Sequence, residues 1–276
     1  MEEGHRSRVH LVKRLGKYFI QTTPQKDAQK YNKEHCSILY DVKTDKDVLD
    51  FFQKARMSLH KPTWSGIKFF YVPELNGNES GVISVTHHSL HDAITQFQSY
   101  HMLSDKGTEY PFVKKAQPNF LQWCVIYLTA PLTWIGGIKH YTGKKSDKNC
   151  IKPYGRYMSG KINSALSPEV SLKKTKAISK KMNMTLNDLM LGITSKVLKE
   201  YFDLQGDTSS ELSITLPFTF KVIPQDRKDY TYGNNFVSLT IYLKLIENLD
   251  KACEHAKKLM NDLKKSSHPG AFYTLL

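Results

Sequence analysis

Apolar positions recur along this chain with two different spacings. Val9, Leu11, Val12, Leu15 and Phe19 fall at loosely helical intervals and predict a helix over 8–20. Thr44-Asp45-Lys46-Asp47 predicts the start of a second helix, with Val48, Leu49, Phe52 and Ala55 on its apolar face and Phe51 alongside. Residues 64–72 then read as a strand, Asn76-Gly77-Asn78 as a turn, and Gly81 to Thr86 as the returning strand of a hairpin. His91 to Leu103 returns to helical spacing, with Ile94, Phe97 and His101 on one side.

The second half opens near Tyr154. Ser167-Pro168-Glu169 predicts a helix start, with a polar cap followed by proline. Thr185-Leu186-Asn187-Asp188 matches a capping box at the head of a helix reaching about Phe202, with Gly206 in the loop beyond. Leu212 to Phe220 predicts a strand whose Pro217 requires an edge or a bulge. Asn235 to Leu245 predicts a further strand through Phe236, Leu239, Ile241, Leu243 and Leu245, and Glu247 to Lys265 a basic amphipathic helix. The order is α+β, in two unequal halves.

Composition narrows the class. The 276 residues carry 40 Lys and Arg against 26 Asp and Glu, a formal net charge of +14. Four cysteines without metal-ligand spacing exclude a disulfide scaffold and fit a reducing compartment. The first residues lack the apolar core of a secretory signal. Such a positive surplus calls for an anionic partner: nucleic acid, an anionic membrane surface or a phosphate-rich cofactor. Between Lys139 and Lys181 twelve Lys and Arg face only Asp147 and Glu169, a local net of +10. Zinc-finger spacing, RNA-binding aromatic motifs and basic heptads are missing from the sequence, which disfavours nucleic acid. A lysine-rich solvated connection is the plain alternative.

Ahead of this block, residues 120–138 carry no charge. Their length borders on that of a spanning helix, but Gln122, Thr129, Pro131 and Thr133 weaken a span, and Gly136-Gly137 is expected to end it. Two Trp and one Tyr suit an interface, so a buried or interfacial segment is expected first and a span second.

Candidate chemistry gathers in His87-His88-Ser89-Leu90-His91-Asp92-Ala93, where the hairpin's second strand gives way to a helix. A strand end is rigid and accessible, and histidine is the side chain best suited to take a proton near neutral pH. Three other readings stand beside catalysis. The histidines can be ordinary polar loop residues, Asp92 can simply cap the helix, or His87, His88 and His91 can ligate a metal. The His-Glu-x-x-His pattern is missing, and no downstream acidic or cysteine ligand stands out.

His-His-x-x-x-Asp after a strand resembles the motif of CoA-dependent acyltransferases with the chloramphenicol-acetyltransferase-like fold. Within that superfamily the wax ester synthase/diacylglycerol acyltransferase family fits best. Lys61-Pro62-Thr63-Trp64 resembles its Pro-Leu-Trp element and Thr185-Leu186-Asn187-Asp188 its Thr-Val-Asn-Asp helix start. Leu216-Pro217-Phe218-Thr219-Phe220-Lys221 resembles its Val-Pro-Val strand, and Gly233-Asn234-Asn235-Phe236 its Gly-Asn segment. Two substitutions depart from the pattern: Ala93 stands for glycine and Lys221 for arginine. The methyl of Ala93 is tolerable at negative φ and costly at positive φ.

The resemblance implies two half-domains, each a mixed sheet with flanking helices, the second incomplete. Residues 1–115 would form the N-terminal half, 116–155 the apolar and basic crossover, and 156–276 a partial C-terminal half. It implies that His88 is the general base moving an acyl group from acyl-CoA to the hydroxyl of diacylglycerol or a long-chain alcohol. His87 and Asp92 complete the motif, Asp92 in a structural role. Asn187 and Asn234 become candidate substrate-binding residues, each with a plain alternative as helix-start or turn chemistry. Acyl-CoA is then a co-substrate, with no bound cofactor, metal or nucleic acid. The expected location is a membrane, the cytoplasmic face of the endoplasmic reticulum or lipid droplets. The alternative is an inactive remnant that binds lipid or membrane.

Overall fold

The chain divides into two units that do not follow sequence order. Unit 1 comprises 1–110, 158–167 and 223–234, and unit 2 comprises 111–157, 168–222 and 235–276. The computed structural model describes residues 9–22, 24–27, 29, 33, 35–58, 67–86, 88, 92–103, 118–143, 148–151, 163–219 and 233–274.

Unit 1 begins with a hairpin where the spacing predicts a helix. Strands β1 (Val9–Arg14) and β2 (Lys17–Thr22) pair antiparallel, with Arg14 opposite Lys17. The two residues between them, Leu15 and Gly16, have φ of 49° and 76°, the left-handed pair that a tight hairpin turn needs. A turn with positive φ at both positions breaks the helical path. It also puts Leu15, one of the supposed stripe residues, at the exposed tip.

A three-stranded sheet follows. Strand β3 (Cys36–Ile38) runs parallel to β4 (Ile67–Leu75), which pairs antiparallel with β5 (Glu79–Thr86). Helix α1 (Asp45–Ser58) covers one face. It starts as the sequence predicts: Thr44 N–H donates to Asp47 Oδ2 at 2.9 Å, and Asp47 N–H donates to Thr44 Oγ1 at 3.3 Å. Val48, Phe51, Phe52 and Ala55 of α1 pack on a core of Val42, Val72, Ile83 and Val85. The rings of Phe51 and Phe70 meet edge to face at 4.7 Å. The predicted turn is present as Asn76 and Gly77, both at positive φ. Central strand β4 tolerates Pro73, which cannot donate to the ladder, because the register shifts between Val72 and Leu75.

Helix α2 (Ala93–Leu103) follows β5. Its buried line is Thr95, Gln98 and His101, while Phe97 is 54% exposed, so Phe97 does not belong to the inner face that the spacing suggests. Gln96 Nε2–H donates to the Tyr100 hydroxyl at 2.9 Å, and Ser84 on β5 bonds the same hydroxyl.

In unit 2, helix α3 (Phe120–Gly143) contains the uncharged segment and runs on through Gly136-Gly137. Two glycines cost about 1 kcal/mol each in a helix, too little to end one whose preceding turns are held by the packing of Ile126, Thr133 and Trp134. Neither is the segment buried, since its outer side chains are open to solvent. No described helix is long and apolar enough to cross a membrane.

Helix α4 (Leu172–Lys181) starts four residues beyond the predicted Pro168. The reason is local: the Ser171 hydroxyl accepts from Lys174 N–H and makes Ser171 the cap. Helix α5 (Leu186–Leu204) opens with the predicted capping box of Thr185 and Asp188. Strands β6 (Glu211–Phe218) and β7 (Val237–Lys244) form an antiparallel pair with Pro217 opposite Ser238. Among the described residues each strand has one side outside any ladder, which accommodates the proline.

Helix α6 (Leu249–Lys265) packs against α5, burying Leu191, Ala256 and Met260 against Ile214 and Leu216. Gly192 marks the crossing. A Cβ there would lie 2.5 Å from Cys253 Sγ and 2.7 Å from Cys253 Cα. Helix α7 (His268–Tyr273) closes the unit against α3.

Candidate functional site

The motif lies between the end of β5 and the start of α2, within unit 1. Asp92 is 5% exposed and caps α2: Thr95 N–H donates to its Oδ1 at 2.8 Å, and Gln96 N–H to its carbonyl at 2.9 Å. The capping reading of Asp92 is thus what the geometry displays. A carboxylate also sits well against the positive end of a helix. Ala93 is the first residue of α2 and is not among the residues at positive φ, so its methyl is accommodated where the resembling family has glycine.

A segment far away in sequence closes on this cap. Asp92 N–H donates to the Gly233 carbonyl at 3.1 Å. The Thr95 hydroxyl donates to the same carbonyl at 2.8 Å and accepts Gly233 N–H at 3.2 Å. Asp92, Thr95 and Gly233 are all buried, so these bonds form away from competing water. The next residue reaches the histidine: Asn234 Nδ2–H donates to the His88 carbonyl at 3.0 Å.

His88, Asp92 and Asn234 are therefore brought together, with His88 exposed in the turn and its main chain held. Histidine is a side chain suited to general-base work, and His88 is an exposed residue whose carbonyl is held by Asn234. The Asn234 amide, a candidate substrate ligand, acts on the main chain that carries His88. Asn187 belongs to unit 2, where it is exposed in the first turn of α5 beside the capping residue Asp188. His87, His91, Phe220, Lys221 and Lys61-Pro62-Thr63-Trp64 lie outside the described residues. Among the described residues no three His, Cys, Asp or Glu side chains gather as a metal site.

Thr95 is not singled out by the sequence, and although Gly233 stands in the Gly233-Asn234-Asn235-Phe236 segment, its bonding to α2 is not legible there. The only local signal is a threonine at the third helical position after an aspartate cap, a pattern too common to point at a remote glycine.

No protein-family model matches the chain, and no curated protein matches it. Solved structures do. A wax ester synthase/diacylglycerol acyltransferase from Marinobacter aquaeolei superposes with a TM-score of 0.58 at 16% identity, over 94% of this chain and 58% of that one. A trichothecene 15-O-acetyltransferase from Fusarium sporotrichioides gives 0.55 at 11%, over 97% and 62%. The first condensation domain of the calcium-dependent antibiotic synthetase gives 0.53 at 11%, over 97% and 63%. The chain spans about three-fifths of the length of each of these structures. With small sheets and flanking helices, it has the fold shared by these acyltransferase and condensation-domain structures.

Proposed function

We propose that the chain takes part in O-acyl transfer from acyl-CoA to a hydroxyl, with His88 as the general base. The observation that carries this reading is the bond from Asn234 to the His88 carbonyl, which fixes the histidine turn beside the Asp92 cap in an acyltransferase fold. His88 would take the proton of the acceptor hydroxyl as its oxygen attacks the thioester carbonyl. The tetrahedral oxyanion then collapses, the C–S bond breaks, and the proton passes to the leaving thiolate of CoA. The balance closes without a covalent enzyme intermediate.

Diacylglycerol and long-chain alcohols are the proposed acceptors, on the strength of the motifs shared with the wax ester synthase/diacylglycerol acyltransferase family. Asn187 is proposed as a substrate-binding residue of its own unit and His87 to complete the motif. The +10 run favours capture of the CoA phosphates. The test is turnover of labelled acyl-CoA with either acceptor. His88→Ala is expected to lose at least a hundredfold in kcat. Equal activity in the variant and the wild type would remove His88 from the role.

A second reading, lipid-surface binding without turnover, is favoured by the uncovered apolar face of α3. It predicts vesicle binding with no acyl transfer to either acceptor.

A further inference from the structure

Helix α2 follows directly on the histidine turn, yet little apolar packing holds it. From Ala93 to His101 none of its apolar side chains is buried, and Phe97 stays open to solvent. Its buried line is polar: Thr95, Gln98 and His101. The Gln98 amide has no hydrogen-bond partner among the described residues, so its burial costs stability instead of adding it. A helix is ordinarily placed by an apolar stripe on its inner face. In α2 specific hydrogen bonds take over that task.

Those bonds form two groups. The first lies in the opening turn, where Asp92 and Thr95 bind Gly233. The second lies further along and reaches back to β5. Gln96 Nε2–H donates to the Tyr100 hydroxyl at 2.9 Å and to Ser84 Oγ at 3.4 Å, and the Ser84 and Tyr100 hydroxyls bond each other. Gln96 and Tyr100 stand one turn apart on one side of the helix, so both reach the same strand residue. Ser84 alternates with Ile83 and Val85, which belong to the α1 core, and therefore points to the opposite face of the sheet. These bonds thus tie together the strand before the histidine turn and the helix after it.

Their distance from the turn gives them leverage. Tyr100 is eight residues beyond Asp92, about 12 Å along the helix at about 1.5 Å per residue. The bonds to Gly233 fix where α2 starts, and the bond from Tyr100 to Ser84 fixes its tilt. A slip of about 1 Å at Tyr100 tilts α2 by about 5° over that length. Through Thr95 a tilt displaces Gly233, and the next residue, Asn234, holds the His88 carbonyl at 3.0 Å. We infer that Ser84, Gln96 and Tyr100 form a strut that sets His88 for proton transfer, acting through α2, Gly233 and Asn234, with Tyr100 as its principal positioning residue. This inference rests on the proposed base role of His88.

The test compares kcat and KM for acyl transfer in Tyr100→Phe, Ser84→Ala and Ser84→Thr. Tyr100→Phe keeps the ring and removes the hydroxyl; kcat is expected to fall about tenfold with KM for acyl-CoA within about twofold, since a small misplacement of a catalytic group costs rate rather than binding. Ser84→Ala should fall by about as much, and Ser84→Thr, which retains a hydroxyl, should recover most of the loss. In an Asn234→Asp background Tyr100→Phe should cost less than about threefold, because the link to His88 is already removed. A full tenfold loss in that background would overturn the strut's route, and a rise in KM alone would make Tyr100 a substrate contact and overturn the strut. The histidine-ring NMR signal of His88, identified by its loss in His88→Ala, reads the displacement without turnover. It should shift in Tyr100→Phe and Ser84→Ala and stay in Ser84→Thr, with the His255 signal of unit 2 unmoved in all three. An unmoved His88 signal in folded Tyr100→Phe would overturn the strut. Circular dichroism checks the fold; should Tyr100→Phe unfold, Ser84→Ala carries the same comparison. Absence of acyl transfer from the wild type would remove the base role of His88, while the ring signal still decides the strut.

Discussion

Thr95→Val tests whether the buried bridge from Thr95 to Gly233 holds the histidine turn in place. Valine keeps the shape of threonine and removes both hydroxyl bonds to Gly233. The Gly233 carbonyl retains Asp92 N–H, but Gly233 N–H loses the hydroxyl partner and is buried. An orphaned buried donor costs about 1–3 kcal/mol, and the lost carbonyl bond about 0.5–1.5 kcal/mol more. The added methyl returns about 0.8 kcal/mol, leaving a net loss near 2 kcal/mol.

Thr95→Ser is the control. It keeps both bonds and loses one methyl, about 1 kcal/mol. Native-state hydrogen exchange of the α2 amides reads the difference locally. Exchange is expected to quicken about thirtyfold in the valine variant and about fivefold in the serine variant, at 1.36 kcal/mol per factor of ten. Exchange in Thr95→Val no faster than in Thr95→Ser would refute the bridge as the element holding α2 to Gly233.

Asn234→Asp keeps the side-chain shape and removes the donor to His88, so kcat for acyl transfer should fall by up to about tenfold while KM for acyl-CoA changes little. A rise in KM alone would make Asn234 a substrate ligand instead. Gly192→Ala forces a methyl into the main chain of Cys253, and a loss of about 1–3 kcal/mol is expected in urea titration, with no loss arguing against the close crossing of α5 and α6. Hydrogen bonds from the Ser209 hydroxyl and N–H, and then from Cys150, hold the Asp207 carboxyl down at about 2. Its stabilisation is full above the ordinary value of 3.8 and is lost as pH falls from there toward 2. The thermal midpoints of wild type and Asp207→Asn should therefore differ at pH 6 and converge near pH 2; a constant gap would contradict this.

Much of the second half was legible because its signals are local. Thr185 to Asp188 caps α5 through bonds spanning three residues, and Asn248 caps α6 in the same way. The alternation from Val237 to Leu245 needs only the period of two of a strand with one buried face. The same locality made Asn76-Gly77 readable as a turn. Reading failed where a local pattern served two structures. Val9, Leu11, Val12, Leu15 and Phe19 suit a helix as spacing, but left-handed Leu15 and Gly16 commit the segment to a hairpin. Ile94, Phe97 and His101 look like an inner face; His101 is buried, but the bonds of Thr95 to Gly233 bring Thr95 and Gln98 inward with it and leave Phe97 exposed.

The sequence by itself determined the α+β class, the capped helices, the basic surplus and the histidine-aspartate turn, because each depends on neighbouring residues. Only the tertiary structure decided that Gly233 and Asn234 clasp that turn from 138 and 146 residues away. It alone decided that α3, uncharged over 120–138, packs one side on α7 and leaves five aliphatic residues uncovered. Both are matters of which surfaces meet after the chain has folded back on itself. Spacing along a sequence fixes which side chains share a face, and long-range packing fixes what that face touches.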